Sequence, residues 1–162
     1  ELNLLNEAIK STTTEIRTLL YDLKPSYLDA GIITALENRF SSFEESSGVK
    51  VTFNFTGNES KIEYYLASTL YRMIQESLSN IYKHAKAKNV SVNFSITDNM
   101  VYVTITDDGV GFDVEAQSNK SQDLKGGFGL GGLQERAELV KGKVKITSAP
   151  GKGTCVSICI PI

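Results

Sequence analysis

The sequence predicts an α+β fold: a two-layer sandwich with helices on one face of a mixed, mainly antiparallel sheet, preceded by an N-terminal helix of coiled-coil type. Three observations carry this. Apolar and polar residues alternate over Val49 to Phe55, Val90 to Ile96, Val101 to Ile105, Val144 to Ile146 and Val156 to Ile160, the pattern of half-buried strands. Apolar residues recur at helical spacing over Ile32 to Phe43 and again over Lys61 to His84. The two patterns are mixed without a regular βαβ alternation, which argues against a doubly wound parallel sheet.

Leu2, Leu5, Ile9, Thr12, Ile16, Leu19 and Leu23 are spaced alternately three and four apart. That is the seam of a helix that packs on partner helices, either on its own domain or as half of a helical hairpin in a dimeric bundle. Lys24-Pro25 ends it, because the residue before proline is pushed out of the α region. The chain opens at Glu1 inside this pattern, as expected of a piece of a longer protein.

Ser26 to Gly31 reads as a hinge. The helix that follows stops near Ser46-Ser47-Gly48, and Gly57-Asn58 closes the first strand. Asp98-Asn99 joins the next two strands as a tight hairpin, and Pro150-Gly151 turns between the last two. Residues 113 to 126 lack periodicity and have few apolar groups, which fits a functional lid or a disordered loop. Leu130 to Val140 reads as a short helix whose start is a glycine cluster.

The chain has 162 residues, enough for one domain with a core and an appendage. Its net charge is -2 and its pI about 5.5, so it lacks the basic footprint that nucleic acid or an anionic membrane surface demands. No apolar run approaches the roughly 20 residues of a spanning helix. Cys155 and Cys159 lie four apart on one strand, ~13 Å at ~3.3 Å per residue, too far to bridge each other, which fits a reducing compartment.

Chemistry concentrates in three stretches: Gln75 to Ala85, QESLSNIYKHA; Asp107 to Gly111, DDGVG; and Gly127 to Gly132, GFGLGG. On a helix, Glu76 and Asn80 are one turn apart, with Lys83 and His84 a turn further on. A carboxylate, an amide, an amine and an imidazole then share one face, opposite Leu70, Ile74, Leu78 and Ile81. The glycine clusters let backbone N–H groups approach anionic oxygens, which points to a phosphate compound and to an ATP-binding domain. GFGLGG also matches the dinucleotide fingerprint, but a long polar loop precedes it and position 152 is Lys rather than an acid. A P-loop is excluded because no GxxxxGK[ST] occurs. Taken singly, Asp107 fits an ordinary turn, Asn80 and Glu76 ordinary helix positions, and His84, the only histidine, a structural one.

QESLSNIYKHA, DDGVGF, GGFGLGGL and PGKGTCVSICIP, in this order and spacing, resemble the N, G1, G2 and terminal motifs of the ATP-binding domain of bacterial sensor histidine kinases, within the gyrase- and MutL-like superfamily. The run YDLKPSYLDAGIITALENRF resembles the join between dimerisation and catalytic domains in the subfamily of nitrate and membrane-fluidity sensors. The resemblance implies a Bergerat-type ATP-binding fold over residues 26–162. Residues 1–25 are then the second helix of a dimerisation hairpin.

For the site, the resemblance implies that Asn80 ligates Mg²⁺ through its amide oxygen and that Glu76 orients or deprotonates the attacking group. Lys83 offsets phosphate charge and His84 supports the site. Asp107 binds the exocyclic amine of adenine, with Gly109 and Gly111 close to the base. Gly127, Gly129, Leu130 and Gly132 form the lid hinge and the phosphate-facing helix start, and Thr154 completes the adenine water network. The implied cofactors are ATP and Mg²⁺. The implied partners are a response regulator and a second copy joined through the N-terminal helix, in the cytoplasm, with no membrane contact by this chain. One departure matters: no acceptor histidine of the expected kind is present, since His84 precedes Ala85 inside the ATP motif. The acceptor is expected upstream of Glu1, so this chain should bind ATP without phosphorylating itself. Asp108 stands where Asn is common, with no clear consequence. Two other readings are a serine kinase of anti-sigma-factor type and a binding module that ATP switches without transfer.

Overall fold

In the computed structural model, residues 26–114 and 130–162 are described. The heptad helix over 1–25, the polar segment over 115–126, Gly127 and Gly129 lie outside them.

Helix α1 (Ile32–Ser47) buries Ile32, Ala35, Leu36, Phe40 and Phe43, the stripe its spacing predicts. Its start has no side-chain cap from Gly31. A carboxylate from later in the chain substitutes: Glu59 Oε2 accepts the Ile33 N–H at 3.1 Å, where the helix dipole favours negative charge. It ends at Gly48, φ 72, whose N–H donates to the Glu44 carbonyl at 2.8 Å.

Strand β1 (Lys50–Thr56) pairs in parallel with β2 (Asn89–Ile96), a connection that needs a crossing helix. That helix is α2 (Tyr64–Asn80), which buries Leu70, Met73, Ile74 and Leu78. β2 then pairs antiparallel with β3 (Met100–Asp107) through the two-residue Asp98-Asn99 turn, closed by Thr97 N–H to Met100 O at 2.9 Å. Helix α3 (Leu130–Leu139), β4 (Lys143–Ser148) and β5 (Thr154–Pro161) complete the order β1-β2-β3-β5-β4. Four strands are therefore antiparallel to a neighbour and one pair is parallel, the mixed sheet the sequence predicts.

The helices cover one face. Val90, Val92, Phe94 and Ile96 of β2, Val101, Val103 and Ile105 of β3 and Val156, Ile158 and Ile160 of β5 are buried beneath them. Their alternates, among them Asn93, Tyr102 and Thr106, stay exposed. Directly opposed residues of paired strands share a face. The register therefore builds rows across the sheet, and Val92, Ile105, Val156 and Ile146 form one of them. The next row outward runs Val90, Asp107, Thr154, Ser148. It turns the apolar face polar at one end of the sheet.

Three local expectations are corrected. The central helix does not run from Lys61 to His84. Residues Glu59–Lys61 form a separate 3₁₀ turn, with Asn58 Oδ1 accepting the Ser60 N–H at 3.0 Å, and Lys61 Nζ pairs with Asp98 Oδ1 at 2.7 Å on the hairpin. At the other end, Ile81–Ala85 is a π-helical turn closed by Lys86 in the left-handed region, φ 52. Ser26 to Gly31 is not a loose hinge. Ser26–Leu28 is a 3₁₀ turn with Leu28 buried and Tyr27 stacked on Tyr71 of α2, ring centroids 4.4 Å apart.

Candidate functional site

Asp107 is the last residue of β3 and sits in a row whose inner neighbours are all apolar, so its carboxylate is carried under the helical layer with 5% exposure. Burial pushes its carboxyl above the usual carboxylate range, with Asp108 adding repulsion, while the backbone N–H groups of Gly109 and Thr154 pull the other way. Oδ1 accepts the Gly109 N–H at 2.8 Å. A carboxylate kept in such a place despite its desolvation is a candidate binding group.

The turn after β3 is clamped to the end of the helical layer. The Val110 N–H donates to the Ala85 carbonyl of the π-turn at 2.7 Å. A Cβ on Gly109 would lie 2.3 Å from that same carbonyl oxygen, and one on Gly111, φ 58, would lie 2.1 Å from the Ala149 carbonyl. The bare Cα atoms of Gly109 and Gly111 are thus required by the protein's own backbone, a need that the sequence reading assigns to a ligand. Gly153 joins them: buried, φ 69, its Cβ position is 2.0 Å from the Asp107 carbonyl.

Asp108 has a clear role, contrary to expectation. Its Oδ1 accepts the N–H groups of Lys88 at 2.8 Å and Asn89 at 2.9 Å, and Oδ2 accepts Asn89 Nδ2 at 2.7 Å. The donated N–H groups of Asn89, foremost, hold its carboxyl down to about 2. The chain leaving the π-turn is thereby tied to the turn that follows Asp107.

Glu76 and Asn80 lie half-buried, one α-turn apart, on the last two turns of α2. Lys83 and His84 are exposed and belong to the π-turn, whose wider spiral breaks the α register assumed for them. π-turns of this kind recur at functional sites. The π-turn also brings Ala85 against Gly109, so the end of the helix that carries Glu76 and Asn80 abuts the turn that follows Asp107. Of the glycine-rich stretch, Leu130 begins α3 and Gly132 lies in its first turn. Among the described residues, a Cβ at Gly131 or Gly132 meets nothing within 4 Å, so these glycines satisfy no packing need there. α3 packs on α2 and β4, with Leu133 and Ala137 buried.

Thr154 is half-buried opposite Asp107 and contacts Ser148, Oγ to Oγ1 3.0 Å. Ser148 is a residue the sequence reading missed. Its hydroxyl also donates to the Gly153 carbonyl at 2.8 Å and accepts the Phe112 N–H at 2.9 Å. Only its place one strand over from Thr154 reveals it, and register across a hairpin was not read from the sequence.

These residues fit a nucleotide. Asp107 offers a buried acceptor for an amine, and α3 starts at bare glycines, where backbone N–H groups suit anionic oxygens. Among the described residues no group of three His, Cys, Asp or Glu could hold a metal. Asn80 offers one amide oxygen, and a divalent ion held there would draw on phosphate and water for further ligands, as Mg²⁺ commonly does.

Comparison with known proteins agrees. The chain is 37% identical over its whole length to the signal transduction histidine-protein kinase/phosphatase DegS of Brevibacillus brevis, spanning 41% of that protein. It is 35% identical over 91% of its length to the oxygen sensor histidine kinase NreB of Staphylococcus carnosus, spanning 42% of it. In fold it resembles the histidine kinase domain of the blue-light activated histidine kinase of Erythrobacter litoralis EL346. The TM-score there is 0.61 and the identity 20%, over 80% of this chain and 60% of that one. It also resembles the Acinetobacter baumannii histidine kinase AdeS, with TM-score 0.63 and 14% identity, over 80% of this chain and 62% of that one. The model of the family described as histidine kinase-, DNA gyrase B-, and HSP90-like ATPase matches residues 66–162, which hold α2 from Leu66 onward, the Asp107 turn, α3 and the polar row. The chain belongs to that family of ATPases.

Proposed function

We propose that this chain is the catalytic part of a two-component sensor histidine kinase, binding Mg-ATP and presenting its γ-phosphate to a histidine on a dimerisation helix. The observation that carries this is the polar row Asp107, Thr154, Ser148 at the end of the covered sheet face, clamped through Val110 and Ala85 to the helix bearing Glu76 and Asn80. In this reading Asp107 is the acceptor for the base and Asn80 the amide for the metal, at two ends of one connected structure. Relatives that match 100% and 91% of the chain and are named as histidine kinases support the same reading.

In this reading residues 26–162 are the ATP-binding domain, and 1–25 the second helix of a hairpin through which two copies of the parent pair. The bound magnesium nucleotide would supply an electrophilic phosphoryl group. The chain's own residues do the rest by positioning and charge, which is most of what phosphoryl transfer asks of a protein. Asp107 accepts the base amine and sets the depth of the nucleotide. Asn80 offers its amide oxygen to the cation. Glu76, one turn earlier, accepts a proton from or orients the incoming imidazole, a role that requires the two to come within hydrogen-bond reach. Lys83 offsets phosphate charge from the exposed side. The phosphate then passes to a response regulator. A cytoplasmic setting suits the ATP supply, and among the described residues no helix is long and apolar enough to cross a membrane.

The test is transfer. The chain is joined to, or mixed with, a hairpin helix carrying the acceptor histidine, and labelled phosphate from γ-labelled ATP is followed. Acid-labile label on that histidine is the expected result. Acid-stable label on a partner serine favours a serine kinase of anti-sigma-factor type. Saturable ATP binding with no transfer to either makes the domain an ATP-operated switch.

A further inference from the structure

Ser148 and Thr154 oppose each other across the β4–β5 hairpin, and Thr154 opposes Asp107 across β3–β5. The Ser148 hydroxyl has one hydrogen and two lone pairs. Its 2.8 Å contact is to the Gly153 carbonyl, which has no hydrogen to give, so Ser148 supplies the proton there. The Phe112 N–H occupies one lone pair at 2.9 Å. The remaining contact, 3.0 Å to Thr154 Oγ1, must then use the Thr154 proton. All three hydrogen-bonding positions of Ser148 are filled, and Thr154 has only lone pairs left.

We infer that Ser148 is a positioning residue for base recognition: by taking the Thr154 proton it makes Thr154, like Asp107, an acceptor toward the ligand, so that the row selects a 6-amino purine over a 6-oxo purine. This rests on the nucleotide reading above and adds to it a residue and the origin of a specificity. Asp107 has Oδ1 engaged by the Gly109 N–H, leaving acceptor capacity only. Two acceptors side by side match the two hydrogens of a 6-amino group, one taken by each. An oxo group in the same place meets lone pairs with lone pairs, and buried mismatches of this kind cost far more than a missing contact. A free threonine hydroxyl could instead rotate and donate to the oxo group. Ser148 removes that freedom without touching the ligand.

The experiment compares ADP with inosine diphosphate, which differ at this edge, by calorimetric titration of the intact chain. Wild type is expected to prefer ADP. S148A frees the Thr154 proton and should narrow the ADP-to-inosine-diphosphate affinity ratio at least about fivefold, while S148T, which keeps a hydroxyl, holds the ratio within about twofold. General loosening of the turn weakens both nucleotides equally, so the ratio isolates the orientation of the hydroxyl. T154V reads the same polarity without altering Ser148 and should weaken ADP more than inosine diphosphate. An unchanged ratio in S148A together with equal losses in T154V overturns the inference while leaving ATP binding intact. A wild type that binds neither nucleotide overturns the nucleotide reading itself, and this inference with it.

Discussion

The Asp108 carboxylate accepts the Asn89 backbone N–H at 2.9 Å and its side-chain Nδ2–H at 2.7 Å, stitching the start of β2 to the turn beyond β3. Its carboxyl is held at about 2 instead of 3.8. A depressed folded value means that the stabilisation is fully present above the unfolded value of 3.8. It is lost as pH falls through about 2. Asn at this position keeps an acceptor but does not titrate. The stability difference between wild type and D108N should therefore be constant above pH 3.8 and change toward pH 2, measured by urea denaturation. A difference independent of pH across that range would remove Asp108 from this role.

Asp107 titrates in the opposite sense. Its folded value is raised, chiefly by burial, so stability falls as pH rises from 3.8 through that value, and ionising the group costs the free protein stability. In D107N the amide oxygen can still accept the Gly109 N–H. The nucleotide-free variant should melt at or above the wild-type temperature, yet bind ATP and ADP more weakly by similar factors while inorganic triphosphate is spared. Equal loss for all three ligands would place the aspartate away from the base.

Asn80→Asp replaces a neutral amide by a carboxylate one turn from Glu76, which in the proposed reading adds negative charge beside the phosphates. Mg-ATP affinity should fall at least about tenfold, roughly 1.4 kcal/mol. Calorimetric titration that finds the affinity unchanged removes Asn80 as the metal-binding amide.

Glycines of the same motif class should separate by what a Cβ meets. In Gly109→Ala the new carbon lies 2.3 Å from the Ala85 carbonyl oxygen, which cannot move without opening the π-turn, and about 1–3 kcal/mol of stability should be lost. Gly151→Ala meets nothing within 4 Å and carries only the strain of φ 74, about 1 kcal/mol. Thermal melts of the two variants that coincide would mean that the Gly109 turn is not clamped as described.

Gly132→Ala is the converse case. Space is open at its Cβ among the described residues, and alanine favours a helix by about 1 kcal/mol, so the variant should be as stable as wild type or more so. If the glycine serves a phosphate, triphosphate affinity drops at the same time. Unchanged affinity would detach this helix start from the ligand.

Much of this was legible in the residues. The alternation of Val90, Val92, Phe94 and Ile96 needs only the two-residue period of a strand, and the stripe from Ile32 to Phe43 only the period of a helix. Both are local geometry, so composition and spacing suffice. Asp107, Asn80 and Glu76 stood out because their residue types and order match a known set of motifs. The break at Glu59–Lys61 was not legible, because it depends on Asn58 capping its own turn and on Lys61 reaching Asp98 across the fold. Nor was the π-turn, whose register no periodicity announces.

By itself, then, the sequence determined the elements, the side of the sheet they cover and the kind of ligand its motifs suit. Tertiary structure decided which of those groups lie together. Strand register alone set Asp107, Thr154 and Ser148 in one row, and backbone contact alone, Ala85 against Gly109 and Val110, brought the end of the helix carrying Glu76 and Asn80 against the turn beyond Asp107. The physical reason is range: helical and strand periods are written over a few neighbouring residues. A hydroxyl shared between 112, 148, 153 and 154 exists only once distant backbone has been brought within 3 Å.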